Sequence, residues 1–171
     1  MKDTVISYID ADGKKAATEL QRKHTGIADL VKPDHLAWMD SFGSMLIIVG
    51  HGKTMVDMGR YAGIDRMLGR CGSLFIVLAA CEVGEVHTNI GEMQSIAQGL
   101  ANLRKDSVVW GTTRDLPQIA VSTGTCFYKS PIFNWLQPAN DHNPGLWKQF
   151  RKQTDEEEVS SMLPNLNINS L

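Results

Sequence analysis

The chain has few of the residues that mark a membrane protein, a disulfide scaffold or a metal-held fold. Cysteine occurs three times among 171 residues, at Cys71, Cys81 and Cys126, an odd number with no CxxC or Cys/His zinc spacing. This argues against a disulfide framework and for thiols kept reduced inside a cell, so at least one of them has to be explained by packing or by chemistry. No apolar run approaches the roughly 20 residues of a membrane-crossing helix. Met1-Lys2-Asp3-Thr4 leads into a short apolar run broken at Ser7 and followed by Asp10 and Asp12, unlike a cleavable secretory signal. The cytoplasm is therefore the expected location, with signal-independent export as an effector left open. An excess of charge of one sign is also missing: 17 Lys and Arg stand against 19 Asp and Glu, for a net charge of -2 and a pI of about 6.2. That balance gives no electrostatic reason to expect nucleic acid or an anionic membrane as partner. None of His24, His35, His87 and His142 has metal-ligand spacing to another His or Cys, and neither a metal nor a cofactor is implied. Gly52-Lys53-Thr54 is not the end of a phosphate loop, because the earlier glycine of GxxxxGK[ST] would fall at Ile47, inside an apolar run.

What is present is the composition of one ordinary globular domain, 43% hydrophobic and 21% charged. Apolar runs alternate with stretches of helical period, the pattern of an α/β domain with a mainly parallel sheet. Thr4 to Ile9 reads as a first strand and Ala11-Asp12-Gly13 as a turn. Lys14 to Leu30 reads as an amphipathic helix, through Ala17, Leu20, His24, Ile27 and Leu30. Met45 to Val49 and Leu74 to Ala80 are uninterrupted apolar runs, as expected of strands covered on both faces. A short helix is expected at about Tyr61 to Leu68, a longer one over Glu92 to Leu103, and a strand over Ser107 to Trp110. Gln118 to Tyr128 reads as an edge strand or hairpin and Asn143 to Gln153 as a last helix. From Thr154 the chain turns acidic at Asp155 to Glu158 and then rich in Asn and Ser, the composition of a frayed polar tail. The expected organisation is one domain over 1–153 and a tail over 154–171.

Two of the buried strands end in residues with chemistry. His51 follows Ile47-Ile48-Val49-Gly50, and Cys81 follows Ile76-Val77-Leu78-Ala79-Ala80. In open parallel sheets reacting groups collect just beyond the carboxyl ends of the strands, and neighbouring strands lie about 4.8 Å apart. Residues just past two such ends can therefore bring an imidazole and a thiol together, and histidine promotes the thiolate, the nucleophilic form of cysteine. Gly52 leaves room for an approaching carbonyl, and its N–H with that of Cys81 could form an oxyanion hole, where one donor is worth roughly 3 kcal/mol of barrier. A single Cys after a strand is more often packing, and a single His in a glycine loop more often a surface residue. Their placement after consecutive buried strands favours chemistry, whereas Cys71 and Cys126 have no such partner and read as structural.

An apolar strand followed by His-Gly, then an apolar strand followed by Ala-Cys, resembles the caspase-like cysteine peptidases, a group that includes caspases, gingipains, clostripain, legumain, separase, toxin-processing protease domains and CHAT domains. Leu78-Ala79-Ala80-Cys81-Glu82-Val83-Gly84, a helix over Ser95 to Leu103 and the strand start Ser107-Val108-Val109 are most similar to CHAT-type domains. The resemblance covers about Met45 to Asp115 and departs from the usual CHAT sequence at Trp110-Gly111-Thr112-Thr113. It implies a three-layer caspase-like fold and a cysteine endopeptidase acting through a thioester acyl-enzyme. His51 and Cys81 would be its catalytic pair, and the Gly52 and Cys81 N–H groups its oxyanion hole. In several relatives an acidic residue beyond the strand after the Cys binds a basic substrate side chain. Asp115 occupies the nearest position, although pairing with Arg114 or capping the turn before Pro117 competes for it. The expected partners are a protein or peptide substrate and a regulatory protein. The main alternative is a catalytically silent scaffold that uses the same fold for protein interaction, and a second is a transferase or esterase using the same pair, since fold does not fix substrate.

Overall fold

The computed structural model describes residues 2–39, 44–127 and 147–163. They form an α/β layer structure on a six-stranded sheet in the order β2-β1-β3-β4-β5-β6. Strands β1 (Thr4–Tyr8), β2 (Ala28–Leu30), β3 (Met45–Val49), β4 (Phe75–Ala79) and β5 (Val108–Thr112) are mutually parallel, while β6 (Trp147–Phe150) runs antiparallel to β5 at one edge. The apolar runs of β3 and β4 hide a period of two. Leu46, Ile48, Ile76 and Leu78 enter one core, and Met45, Ile47, Val49, Val77 and Ala79 the other. A strand covered on both faces needs apolar side chains in both directions, which is why neither strand alternates with polar residues.

Helix α1 (Ala11–Lys23) covers the second core through Ala16, Ala17 and Leu20, beside α6 (Gln118–Ser122), which contributes Val121. The other face is covered by α2 (Pro33–Leu36), α4 (Arg60–Leu68) and α5 (Ile96–Leu103), through Leu36, Ile64, Leu68, Ala97 and Leu100. Helices on both faces make three layers. The short α3 (Gly52–Asp57) begins directly at the end of β3 and buries Met55. Buried hydroxyls on the strands find backbone acceptors: Ser7 on Val31, Ser107 on Ser73 and Thr112 on Ala80, as burial of a polar group requires.

Several elements differ from the sequence reading. Asp10 caps α1 by accepting the Gly13 N–H at 2.6 Å, so the expected turn at Ala11 to Gly13 is the first turn of the helix. That helix ends at His24, and the last residues of the expected helix, Ala28–Leu30, instead form strand β2 against β1. The segment 118–127 is helical rather than a strand or hairpin, with α6 followed by a 3₁₀ turn at Thr125–Phe127. Docking of Val121 and Phe127 in the core beside α1 outweighs the β-branched composition.

The helix expected over Asn143 to Gln153 is strand β6 in its described part. Trp147 and Phe150 point to opposite faces of the sheet, and Trp147 stacks on Phe127 with ring centroids 5.6 Å apart. The polar tail is ordered over α7 (Asp155–Met162), where Thr154 and Glu157 form a reciprocal capping box. The acidic residues that suggested a solvated tail occupy the first turn, where they complement the helix dipole. His142 and Tyr128 lie outside the described residues.

Ile48 is fully buried in β3, with β1 and β4 on either side. Ile48→Ala should lower unfolding stability by about 2–5 kcal/mol, read as a fall in the urea midpoint with an unchanged m-value. A loss below about 1 kcal/mol would show that this centre does not carry the fold.

Candidate active site

The sheet order reverses around β1. The chain passes from β1 outward to β2, then returns to place β3 on the other side of β1. In an open parallel sheet such a switch point opens a crevice at the carboxyl ends of the strands. Asp10 and Asp12 follow β1 there, His51 follows β3, and Cys81 follows β4 on the next strand. The β3–β4 register pairs Val49 with Ala79, and the Gly50 N–H continues it by donating to the Ala79 carbonyl at 3.3 Å. His51 and Cys81 therefore occupy equivalent positions past adjacent strand ends.

Both residues line one cleft of about 520 Å³, together with Gly52, Lys53, Val56, Glu82, His87 and Ile96. Gly52 approaches Cys81 so closely that a Cβ on it would lie 2.6 Å from the Cys81 carbonyl oxygen; a side chain there would push the two loops apart. Among the described residues neither the Gly52 N–H nor the Cys81 N–H has a hydrogen-bond acceptor. Glu82, immediately after Cys81, has φ of 55°, a left-handed conformation uncommon outside glycine. Its N–H donates to the Arg114 carbonyl at 3.1 Å, and the Gly84 N–H to the Thr112 carbonyl at 2.7 Å, so the turn after Cys81 is pinned to β5 and the loop beyond it.

The carboxylates after β1 organise the histidine. Asp10 Oδ2 accepts the His51 N–H at 2.8 Å and the Thr54 hydroxyl at 2.7 Å. Burial opposes the ionisation of Asp10. The hydrogen bonds from the His51 N–H, the Thr54 hydroxyl and the Gly13 N–H, with the nearby His51 charge, nevertheless hold its carboxyl below the usual range. Asp12 Oδ2 lies 2.9 Å from His51 Nε2, and this hydrogen bond raises the imidazole above its ordinary value against a weaker desolvation effect. The Asp12 carbonyl in turn accepts from Gln118 Nε2 at 2.6 Å, tying the first turn of α1 to α6.

The Cys81 thiol is held by the loop after β5: the Leu116 N–H donates to Sγ at 3.1 Å, and the thiol donates to the Leu116 carbonyl at 3.6 Å. Among the described residues no hydrogen bond joins His51 to Cys81, and His51 Nδ1 has no partner. The other two cysteines are buried. Burial pushes the Cys71 thiol up to about 11 against the opposing charge of Arg104, and pushes the Cys126 thiol up as well.

Asp115 is exposed in the loop between β5 and α6 and is not one of the residues lining the cleft. His24 and His35 lie away from the cleft, on the C-cap of α1 and in α2. The sequence reading passed over Asp10, Asp12, Glu82 and His87. The available signal was positional: Asp10 and Asp12 follow a buried strand just as His51 and Cys81 do. Among the described residues, no group of three or more His, Cys, Asp or Glu could hold a metal ion, and no helix is long and apolar enough to cross a membrane. No protein-family model matches this sequence, and no curated protein matches it.

Two outcomes follow from this geometry. Iodoacetamide at neutral pH should label Cys81 in the folded protein and reach Cys71 and Cys126 only after denaturation, read by peptide mass spectrometry. Equal native labelling of all three would remove Cys81 from consideration as a distinct thiol. Asp12→Asn should lower the His51 titration midpoint, followed by imidazole NMR. The Asp12–His51 interaction stabilises the fold fully below the unfolded imidazole value of about 6.5 and fades as pH rises through the higher folded value. Side-chain exposures of 54% and 52% mean that solvent screens this pair, so the midpoint is the sensitive readout. An unchanged midpoint would exclude Asp12 as the group that controls His51.

Proposed function

We propose that the protein is a cysteine peptidase with Cys81 as nucleophile and His51 as proton-transfer residue. The observation that carries this reading is that His51 and Cys81 follow adjacent parallel strands and line one cleft, with the imidazole bonded to the carboxylate of Asp12. When Asp12 accepts from Nε2–H, the neutral ring presents Nδ1 as its proton acceptor, so the carboxylate sets the tautomer.

In the proposed reaction Nδ1 takes the thiol proton and Sγ attacks the scissile carbonyl carbon. The Gly52 and Cys81 N–H groups donate to the resulting oxyanion. Collapse of the tetrahedral intermediate breaks the C–N bond, and the amine leaves with the proton from His51. Water, deprotonated by His51, then attacks the thioester, and the acid product departs with Cys81 restored as a thiol. A three-layer α/β fold with reacting groups at its carboxyl edge accommodates this chemistry but does not itself specify it.

A second reading, a scaffold that retains the fold without turnover, draws on the absence of a His51–Cys81 hydrogen bond among the described residues. Peptide-library profiling separates the two. Turnover should be abolished in Cys81→Ala and reduced by about 10²–10⁴ in His51→Ala, with labelling by an activity-based thiol probe lost in Cys81→Ala and kept in Cys71→Ala. No cleavage of any peptide by the wild type, with no probe labelling, would favour the scaffold.

A further inference from the structure

The cleft wall on the β4 side carries a second carboxylate–imidazole pair. Glu82 is the residue directly after Cys81, and its Oε2 lies 3.2 Å from His87 Nε2. The other ring nitrogen, His87 Nδ1, lies 3.2 Å from Oε1 of Glu92, which also accepts the His87 N–H at 2.9 Å. Glu92 is almost fully buried and forms an ion pair with Arg60 Nε at 3.0 Å, while Arg60 donates to the Gln94 carbonyl at 2.6 Å. A chain of contacts thus runs from α4 through Glu92 and His87 to Glu82. It ends on a carboxylate whose backbone is held in the left-handed conformation and pinned to Arg114.

Glu82 remains 46% exposed, and Oε1 accepts no hydrogen bond among the described residues. Val56 and Ile96 also line this cleft. A fixed acceptor in a cleft that also has apolar lining matches a side chain with an aliphatic stem and a cationic head, because Lys and Arg bury their stems on apolar surface while the charge finds its partner. Lys53, which also lines the cleft, is exposed on the first turn of α3. Its long stem leaves its charge free to move away, whereas Glu82 is held in place.

We propose that Glu82, positioned by His87, is a specificity residue that selects Lys or Arg beside the scissile bond of a peptide substrate. This rests on the peptidase reading of the same cleft. Glu82 is distinct from Asp115, which is not among the residues lining the cleft, and it stands one residue from the nucleophile.

The test has two arms so that each idea can fail alone. In the first, Cys81 is modified by a cationic trimethylammonioethyl and by an anionic sulfonatoethyl methanethiosulfonate, and the rates are taken by mass spectrometry in wild type, Glu82→Gln and Lys53→Gln. The cationic-to-anionic rate ratio should fall about two- to tenfold in Glu82→Gln and rise in Lys53→Gln. In the second, kcat/KM is compared for peptides matched except for Lys, Arg, Gln or Glu on either side of the cleaved bond. Wild type should prefer the basic peptides, and Glu82→Gln should lose that preference while still cutting the Gln peptides.

His87→Gln should weaken the preference without reversing it, and His87→Asn, a shorter amide, should weaken it further. An unchanged reagent ratio in Glu82→Gln, or cleavage with no basic preference, overturns the proposal, and cleavage of any peptide leaves the peptidase reading standing. A shifted reagent ratio with no peptide cleaved supports cation recognition by Glu82 and removes the peptidase reading instead.

Discussion

The parallel pairing of β3 with β4, in a register that sets Val49 beside Ala79, is the constraint on which the rest of the site depends. Parallel strands point the same way, so their carboxyl ends share one edge of the sheet. Two residues past each end, the chain must leave the sheet on both strands at once, and those positions are His51 and Cys81. A shift of one residue would turn each of the following side chains to the other face. Close packing on both faces opposes that shift, because it would exchange the side chains of β3 between the two cores. The placement of the imidazole and the thiol is thus a consequence of core packing.

The loop ends are held by polar contacts that serve fold and site together. Asp10 closes the first turn of α1 through the Gly13 N–H and holds the His51 N–H and the Thr54 hydroxyl. A residue that caps one helix thereby also fixes the entrance to the next. Gly13 belongs to the same arrangement, since a Cβ there would collide with the Val49 carbonyl, and α1 could no longer lie against the end of β3. On the other side the turn after Cys81 is pinned to β5 and the loop beyond it by the Glu82 and Gly84 N–H groups. The left-handed backbone of Glu82 is strain that only such a surround maintains.

How much of this could be read from the sequence follows from what is local. The β3 and β4 runs and the residues closing them were legible, because burial on both faces leaves a continuous apolar signature and a sharp end. Strand β2 was not, since its three residues continue the apolar spacing of α1 and are strand only because β1 offers an edge. Strand β6 and helix α6 depend on docking, Trp147 on Phe127 and Val121 beside α1, and carry little local signal of their own. Helix α7 was hidden by composition, although Thr154 and Glu157 spell a capping box. Asp12 was missed for a topological reason. Nothing along the chain says that β1 lies next to β3 rather than at an edge, and only that adjacency brings a carboxylate to His51.

Two carboxylate–imidazole pairs flank Cys81, and hydrogen-bond accounting decides which one is suited to proton transfer. His87 has both ring nitrogens against carboxylate oxygens, Glu82 on one side and buried Glu92 on the other. To accept a proton from sulfur it would first have to give up one of these contacts, and releasing the ring from Glu92 would leave that buried carboxylate with only the Arg60 charge and the His87 backbone N–H. His51 commits only Nε2, to an acidic partner half open to water, and keeps Nδ1 unpartnered among the described residues. An imidazole with one nitrogen fixed and one available can gain and lose a proton without dismantling its support, which is what proton transfer to and from a neighbouring thiol requires. The same accounting gives His87 a different part: with Nε2 bonded to Glu82 and buried Glu92 3.2 Å from Nδ1, the ring is suited to holding the Glu82 carboxylate in place.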